Sequence, residues 1–144
     1  MKSITKCGIV AIFFCLVSAP IFAGNFDGTK PLICAAMELV ECEPGGKCLP
    51  VTAEQIGIPQ FFKINFAEKI ISSNQTDGSK RSTPIERFEK VDGKVIIQGA
   101  EDGIEDVRDG VGWSLAINEE TGKTVLTASG DEVGFVIFGA CTLP

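Results

Sequence analysis

The chain contains no histidine and no tyrosine among its 144 residues. Without an imidazole there is no Ser/His/Asp or Cys/His nucleophile system and no His-ligated zinc. The sequence also contains no P-loop, no G-x-G-x-x-G fingerprint and no G-x-S-x-G nucleophile elbow. These absences predict no catalytic residue of a known motif, no enzymatic activity and no cofactor.

Positive charge is scarce. Lys and Arg total 13 against 19 Asp and Glu, which gives a formal net charge of -6 at pH 7. Affinity for nucleic acid comes largely from Lys and Arg on phosphates, so an acidic chain of this kind predicts no nucleic-acid partner.

The first 23 residues have the pattern of a secretory signal peptide. Lys2 and Lys6 precede an apolar run over residues 7–19, Pro20 follows it, and Ala23 offers a small residue for cleavage. The run is shorter than the roughly 20 apolar residues that a membrane-spanning helix needs. The sequence therefore predicts cleavage near Ala23, an exported protein that is periplasmic or secreted, and no membrane span in the mature protein.

Residues 24–144 then form the mature part, which predicts a single domain of 121 residues. Removal of Lys2 and Lys6 leaves 11 basic residues against 19 acidic ones, a net charge of -8. Ile and Val together number 21 in this part and Leu only 6. Because β-branched side chains suit a pleated surface better than a helix, this bias favours strands.

Four cysteines remain after the signal peptide, and an even number in an exported chain indicates two disulfides. A bridge from Cys34 to Cys42 would need a sharp turn inside an apolar segment that lacks turn residues. Cys42 and Cys48, by contrast, flank Glu-Pro-Gly-Gly-Lys, which is typical of a turn. We therefore predict Cys42 with Cys48 and Cys34 with Cys141. A structural zinc site is the alternative, but the spacing contains no C-x2-C pair.

The rest of the chain reads as short strands joined by tight turns. Asp92 and Gly93 stand between two β-patterned segments and predict a type I′ hairpin turn, and Gly122 supplies a left-handed position between two more. Residues 72–84 contain no apolar side chain other than proline and predict a surface loop. The pattern predicts an all-β, antiparallel meander stapled by disulfides, forming either a barrel, with its first strand closing on its last, or a two-sheet sandwich.

Five carboxylates occur within nine positions, and oxygen-rich clusters of this kind bind hard cations. Their spacing does not fit a calcium-binding loop of the EF-hand type, so we predict a solvated loop and no metal. This weak metal candidate consists of Glu101, Asp102, Glu105, Asp106 and Asp109. Trp113, the only tryptophan, begins an alternating strand and is predicted in the core, with ligand stacking as its alternative role.

Several segments carry a resemblance: FDGTKPLICAAMELVECEPGG, QFFKINF, TPIERFEK, KVIIQGAE, GWSLAINEETGK and GFVIFGACT. Together they resemble a group of short exported bacterial proteins of unknown function. The resemblance implies a signal peptide and an envelope or secreted location, and it implies no activity and no functional residue.

Two functions are compatible with these observations. The first is a non-catalytic exported β-domain that binds a small apolar ligand or an envelope protein partner, although the sequence identifies no ligand-binding residue. The alternative is a small hydrolase that acts through carboxylates, which needs two of them converging in one apolar cleft.

Overall fold

The computed structural model describes residues 25–74, 78–103 and 110–144. These residues form ten antiparallel strands and no helix, so the predicted all-β class is confirmed. The described residues therefore contain no helix that could cross a membrane. The strands are β1 (Leu32–Glu43), β2 (Lys47–Val51), β3 (Phe61–Asn65), β4 (Ile70–Asn74), β5 (Lys80–Pro84), β6 (Arg87–Val91), β7 (Lys94–Glu101), β8 (Val111–Asn118), β9 (Lys123–Ser129) and β10 (Gly134–Thr142).

All ten strands belong to one sheet, which curls into a half-barrel. Nine strands follow the order β5-β4-β3-β1-β10-β9-β8-β7-β6, and β2 pairs with β1 off this path. The long strand β1 pairs with β10 along one side, and on its other side with β3 in its first half and β2 in its second half. The predicted pairing of the first strand with the last is therefore present, but β1 and β10 stand in the middle of the strand order of one curled sheet and not at a closing seam.

The two ends of the sheet meet in a short stretch of chain. Strands β5 and β6 stand at opposite ends of the strand order, yet only Ile85 and Glu86 separate them. The Ile85 N–H donates to the Lys69 carbonyl oxygen beside β4 (2.8 Å), and the Glu86 N–H donates to the Gln98 carbonyl oxygen of β7 (2.9 Å). Consecutive residues thus hydrogen-bond beside β4 and to β7, the strands next to the two ends of the strand order, and connect the two ends of the curled sheet.

The apolar core is built from side chains of several strands of the half-barrel. Leu32, Ile64, Val95 and Ile117 come from four strands and are fully buried there. The segment before β1 adds Phe26, which is 9% exposed and whose N–H donates to the Glu119 carbonyl oxygen (3.1 Å). Because inward side chains alternate with outward ones along each strand, one face of the sheet supplies this core.

The predicted turns are present. Asp92 and Gly93 both have positive φ, at 48° and 71°, as the type I′ turn requires. Gly122 has φ 68°, and its turn is held by the Asn118 side chain, whose Oδ1 accepts hydrogen bonds from the Thr121 N–H (2.8 Å) and hydroxyl (2.9 Å).

The prediction of a surface loop over residues 72–84 is wrong for most of these residues. Ser72–Asn74 complete β4 and Lys80–Pro84 form β5, and the two strands pair from Ile70↔Pro84 to Asn74↔Lys80. Residues 75–77 lie outside the described residues. The segment lacks apolar side chains because β5 stands at the end of the strand order and carries mostly exposed residues, so its strand character comes from pairing rather than from its own pattern.

Both predicted disulfides are present. Cys34 and Cys141 are directly opposed on β1 and β10 and face the core, where they are 1% and 8% exposed. Cys42 and Cys48 are opposed on β1 and β2 and close a short hairpin at the surface. One bridge therefore joins the two ends of the domain's chain, and the other joins only neighbours.

Candidate functional site

The concave face of the sheet encloses a cavity of about 550 Å³ next to the packed core. Its walls come from both halves of the sheet, with Phe62 and Ile71 from β3 and β4 facing Leu115, Leu126 and Ala128 from β8 and β9. Ligand cavities in proteins span roughly 300–1,000 Å³ and are lined mainly by apolar side chains. In volume and lining this cavity falls within that class.

A tight turn between β2 and β3 covers part of the cavity. Thr52 and Gln55 form a reciprocal capping box, in which the Thr52 N–H donates to Gln55 Oε1 (2.8 Å) and the Gln55 N–H donates to Thr52 Oγ1 (3.2 Å). The turn brings Ile56 and Ile58 against a second apolar cluster made of Ala36, Leu39 and Ile137. The cavity thus has an apolar roof that the capping box holds in place.

Trp113 belongs to the core and also lines the cavity. Its side chain is 9% exposed, as the core prediction requires, and its indole packs closely over Gly99 of β7. A Cβ atom at Gly99 would lie 2.5 Å from the Trp113 Cζ2 atom and 2.7 Å from the Pro84 carbonyl oxygen. Gly99 therefore makes room for the indole and for the end of β5, a role that sequence reasoning missed.

The charged part of the cavity wall is a cluster on β5 and β7. The Glu101 carboxylate accepts hydrogen bonds from Arg81 Nη2 and from the Thr83 hydroxyl, and all three residues line the cavity. Thr83 is buried, whereas the Arg81 and Glu101 side chains are 44% and 24% exposed. The cluster therefore reaches from the buried wall to the solvent.

The five carboxylates that the sequence offered as a weak metal candidate do not form one site among the described residues. Glu101 is in the cavity wall and Asp102 is exposed, while Glu105, Asp106 and Asp109 lie outside the described residues. Within the described ranges, no group of three or more His, Cys, Asp or Glu side chains is placed to hold a metal ion. Glu101, which the sequence assigned to a loop, instead joins the Arg81 and Thr83 cluster.

A perturbed carboxyl group lies away from the cavity. The pKa of Asp27 is lowered because the Thr29 hydroxyl (2.6 Å) and N–H (3.0 Å) donate to its Oδ1, with a smaller contribution from the Lys90 ammonium. Asp27 belongs to the segment before β1 and is not among the cavity-lining residues. Its shift therefore adds nothing to the chemistry of the cavity.

The chain matches no protein-family model, and comparisons with curated proteins and with solved structures found no match. The functional argument therefore depends on the cavity and its lining.

Proposed function

We propose that the mature domain is an exported binding protein that holds a small, mainly apolar molecule inside its curled sheet. The observation that carries this proposal is the cavity of about 550 Å³, with its apolar walls, its apolar roof and a charged cluster confined to one part of the wall. The two disulfides suit a protein that works in an oxidising compartment outside the cytoplasm.

A carboxylate hydrolase would need two acidic side chains converging on one substrate. Among the described residues that line the cavity, Glu101 is the sole carboxylate, and both of its oxygens accept hydrogen bonds from neighbouring side chains. This arrangement supports binding over hydrolysis.

Binding can be measured through Trp113, because it is the only tryptophan, tyrosine is absent, and the indole lines the cavity. We expect N-phenyl-1-naphthylamine, an apolar fluorescent probe, to quench Trp113 by energy transfer and to saturate at one site. Ala128→Phe places a ring in the cavity beside Trp113, its cross-strand neighbour, and should weaken probe binding about tenfold or more, which corresponds to about 1.4 kcal/mol.

Ala100→Phe is the matched control. It makes the same substitution at an exposed position of β7 outside the cavity lining, and it should leave the dissociation constant of the probe unchanged. Equal binding by both variants, or no saturable transfer from Trp113 in the unmodified protein, would contradict the proposal.

Export is the second part of the proposal, and it rests on the pattern of residues 1–23 together with the disulfides. Expression of the full chain in a Gram-negative bacterium should yield a periplasmic protein whose amino terminus, by mass spectrometry, is Gly24 or a residue or two from it. Native spectra of the same material should retain a small molecule. An intact Met1 on a cytosolic protein would refute export.

An envelope protein is the alternative partner to a small apolar ligand. The exposed apolar side chains of Met37, Phe61 and Phe138 favour this alternative.

A further inference from the structure

Among the described residues, the cavity wall carries one ion pair, and the chemistry of this pair limits the ligands that fit beside it. Arg81 and Glu101 project inward from strands at the region where the two ends of the sheet approach each other. Their side chains are 44% and 24% exposed, so the pair lies where the apolar cavity opens toward solvent. An amphipathic ligand that buries its apolar part among Phe62, Ile71 and Leu126 can therefore present its polar end to this pair.

The pair offers both hydrogen-bond donors and acceptors. Arg81 uses Nη2 to reach Glu101, and this contact does not use all five N–H donors of the guanidinium. Each Glu101 oxygen accepts one bond, from Arg81 or from Thr83, and retains a second lone pair. A ligand oxygen can accept from Arg81 while its own proton is donated to Glu101.

The pair carries no net charge, because the guanidinium and the carboxylate neutralise each other. A ligand carboxylate placed here would come close to Glu101, and a ligand ammonium would come close to Arg81. Either one would bring an uncompensated charge into a partly desolvated site, which is unfavourable. A hydroxyl group gains both hydrogen bonds without this penalty, and a carbonyl group gains the one from Arg81.

We infer that the Arg81 and Glu101 pair makes the cavity selective for amphipathic molecules whose polar end is uncharged, such as an alcohol, over the matching acid or amine. This inference rests on the proposed function, since it assigns a head-group preference to the same cavity. Arg81 and Glu101 are then its specificity-determining residues.

Three ligands with the same 12-carbon chain test the preference. Dodecan-1-ol, dodecanoate and dodecylammonium should each compete with N-phenyl-1-naphthylamine at pH 7, and the alcohol should have the lowest inhibition constant, about tenfold below those of the two ions. Since the chains are equal, the differences report on the head group alone.

Two variants reverse the preference in opposite directions. Glu101→Gln leaves the Arg81 charge uncompensated and should make dodecanoate the best competitor. Arg81→Gln leaves the Glu101 charge uncompensated and should make dodecylammonium the best competitor. Glu101→Gln keeps the length of the side chain, whereas Arg81→Gln retains a shorter hydrogen-bonding side chain, and the thermal unfolding of each variant establishes that it is folded.

Arg87→Gln and Glu89→Gln are the matched controls. They change the net charge by the same amounts in an exposed pair on β6, where Arg87 Nη2 and Glu89 Oε1 are 2.6 Å apart outside the cavity lining. These variants should keep the alcohol preference. The inference is overturned if the unmodified protein prefers either ion, if Glu101→Gln and Arg81→Gln leave the order unchanged, or if the controls change it equally. If the unmodified protein does not bind N-phenyl-1-naphthylamine at all, this result would instead overturn the proposed function itself.

Discussion

Replacing Cys34 and Cys141 together by alanine should lower the free energy of unfolding by about 4 to 5 kcal/mol. The two residues are separated by 107 positions, and a cross-link that closes a loop of this length removes a large amount of conformational entropy from the unfolded chain. Domains of this size are stable by about 5 to 15 kcal/mol, so the loss is a third or more of the total for most of that range. Equilibrium unfolding in urea, followed by Trp113 fluorescence, measures it.

The paired replacement of Cys42 and Cys48 is the control for this experiment. These residues are six positions apart, for which the same chain-entropy relation gives only about 2 kcal/mol. Both pairs join directly opposed residues of antiparallel strands, so the two disulfides differ mainly in the length of the loop that they close and in their burial. A larger loss from the Cys42 and Cys48 variant would contradict the assignment of the long bridge as the main staple.

Gly122→Ala should be the most damaging of the single glycine replacements in the turns, with a loss of about 2 to 5 kcal/mol. Gly122 has φ 68°, where an L-residue is strained by roughly 1 to 2 kcal/mol. A Cβ atom there would also lie 2.7 Å from the Cys141 carbonyl oxygen and from the Phe26 Cζ atom. This carbonyl belongs to the backbone of β10 and cannot move aside easily. Overpacking therefore adds about 1 to 3 kcal/mol to the loss of stability.

Gly57→Ala separates these two contributions. Gly57 has the same φ of 68°, but nothing lies within 4 Å of the position that its Cβ atom would take. We expect this variant to lose only the strain of the left-handed conformation. Unfolding curves that show equal losses for Gly57→Ala and Gly122→Ala would mean that the contact with Cys141 and Phe26 relaxes at no cost.

The features that local sequence determines were predictable. Asp92, Gly93 and Gly122 have turn chemistry that only a few backbone conformations satisfy, and the cysteine pairing followed from which segments can turn. Export, by contrast, is predicted from residues 1–23, which lie outside the described residues, and stays a prediction.

The cavity was not predictable, because it depends on contacts between strands far apart in the chain. Arg81 looked like part of a polar loop, and Glu101 like part of an acidic cluster, until the curl of the sheet placed them together. Likewise, Gly99 shows its importance only when Trp113 and Pro84 are both in position around it. A polar strand such as β5 has no periodic signal of its own, so sequence patterns miss it.

The position of β1 in the sheet has a consequence for the order of folding. Of the described strands, β1 is synthesised first and its longest partner, β10, last, so Cys34 and Cys141 must come together across 107 positions. Topologies dominated by such distant pairings fold slowly, since the entropy of closing a long loop is lost before the contacts form. A nascent chain that lacks Gly134–Thr142 has one entire side of β1 and of β9 without its partner. We therefore expect the chain to stay unfolded until its synthesis is nearly complete, and an unfolded chain is the form that the proposed export through a narrow channel would require.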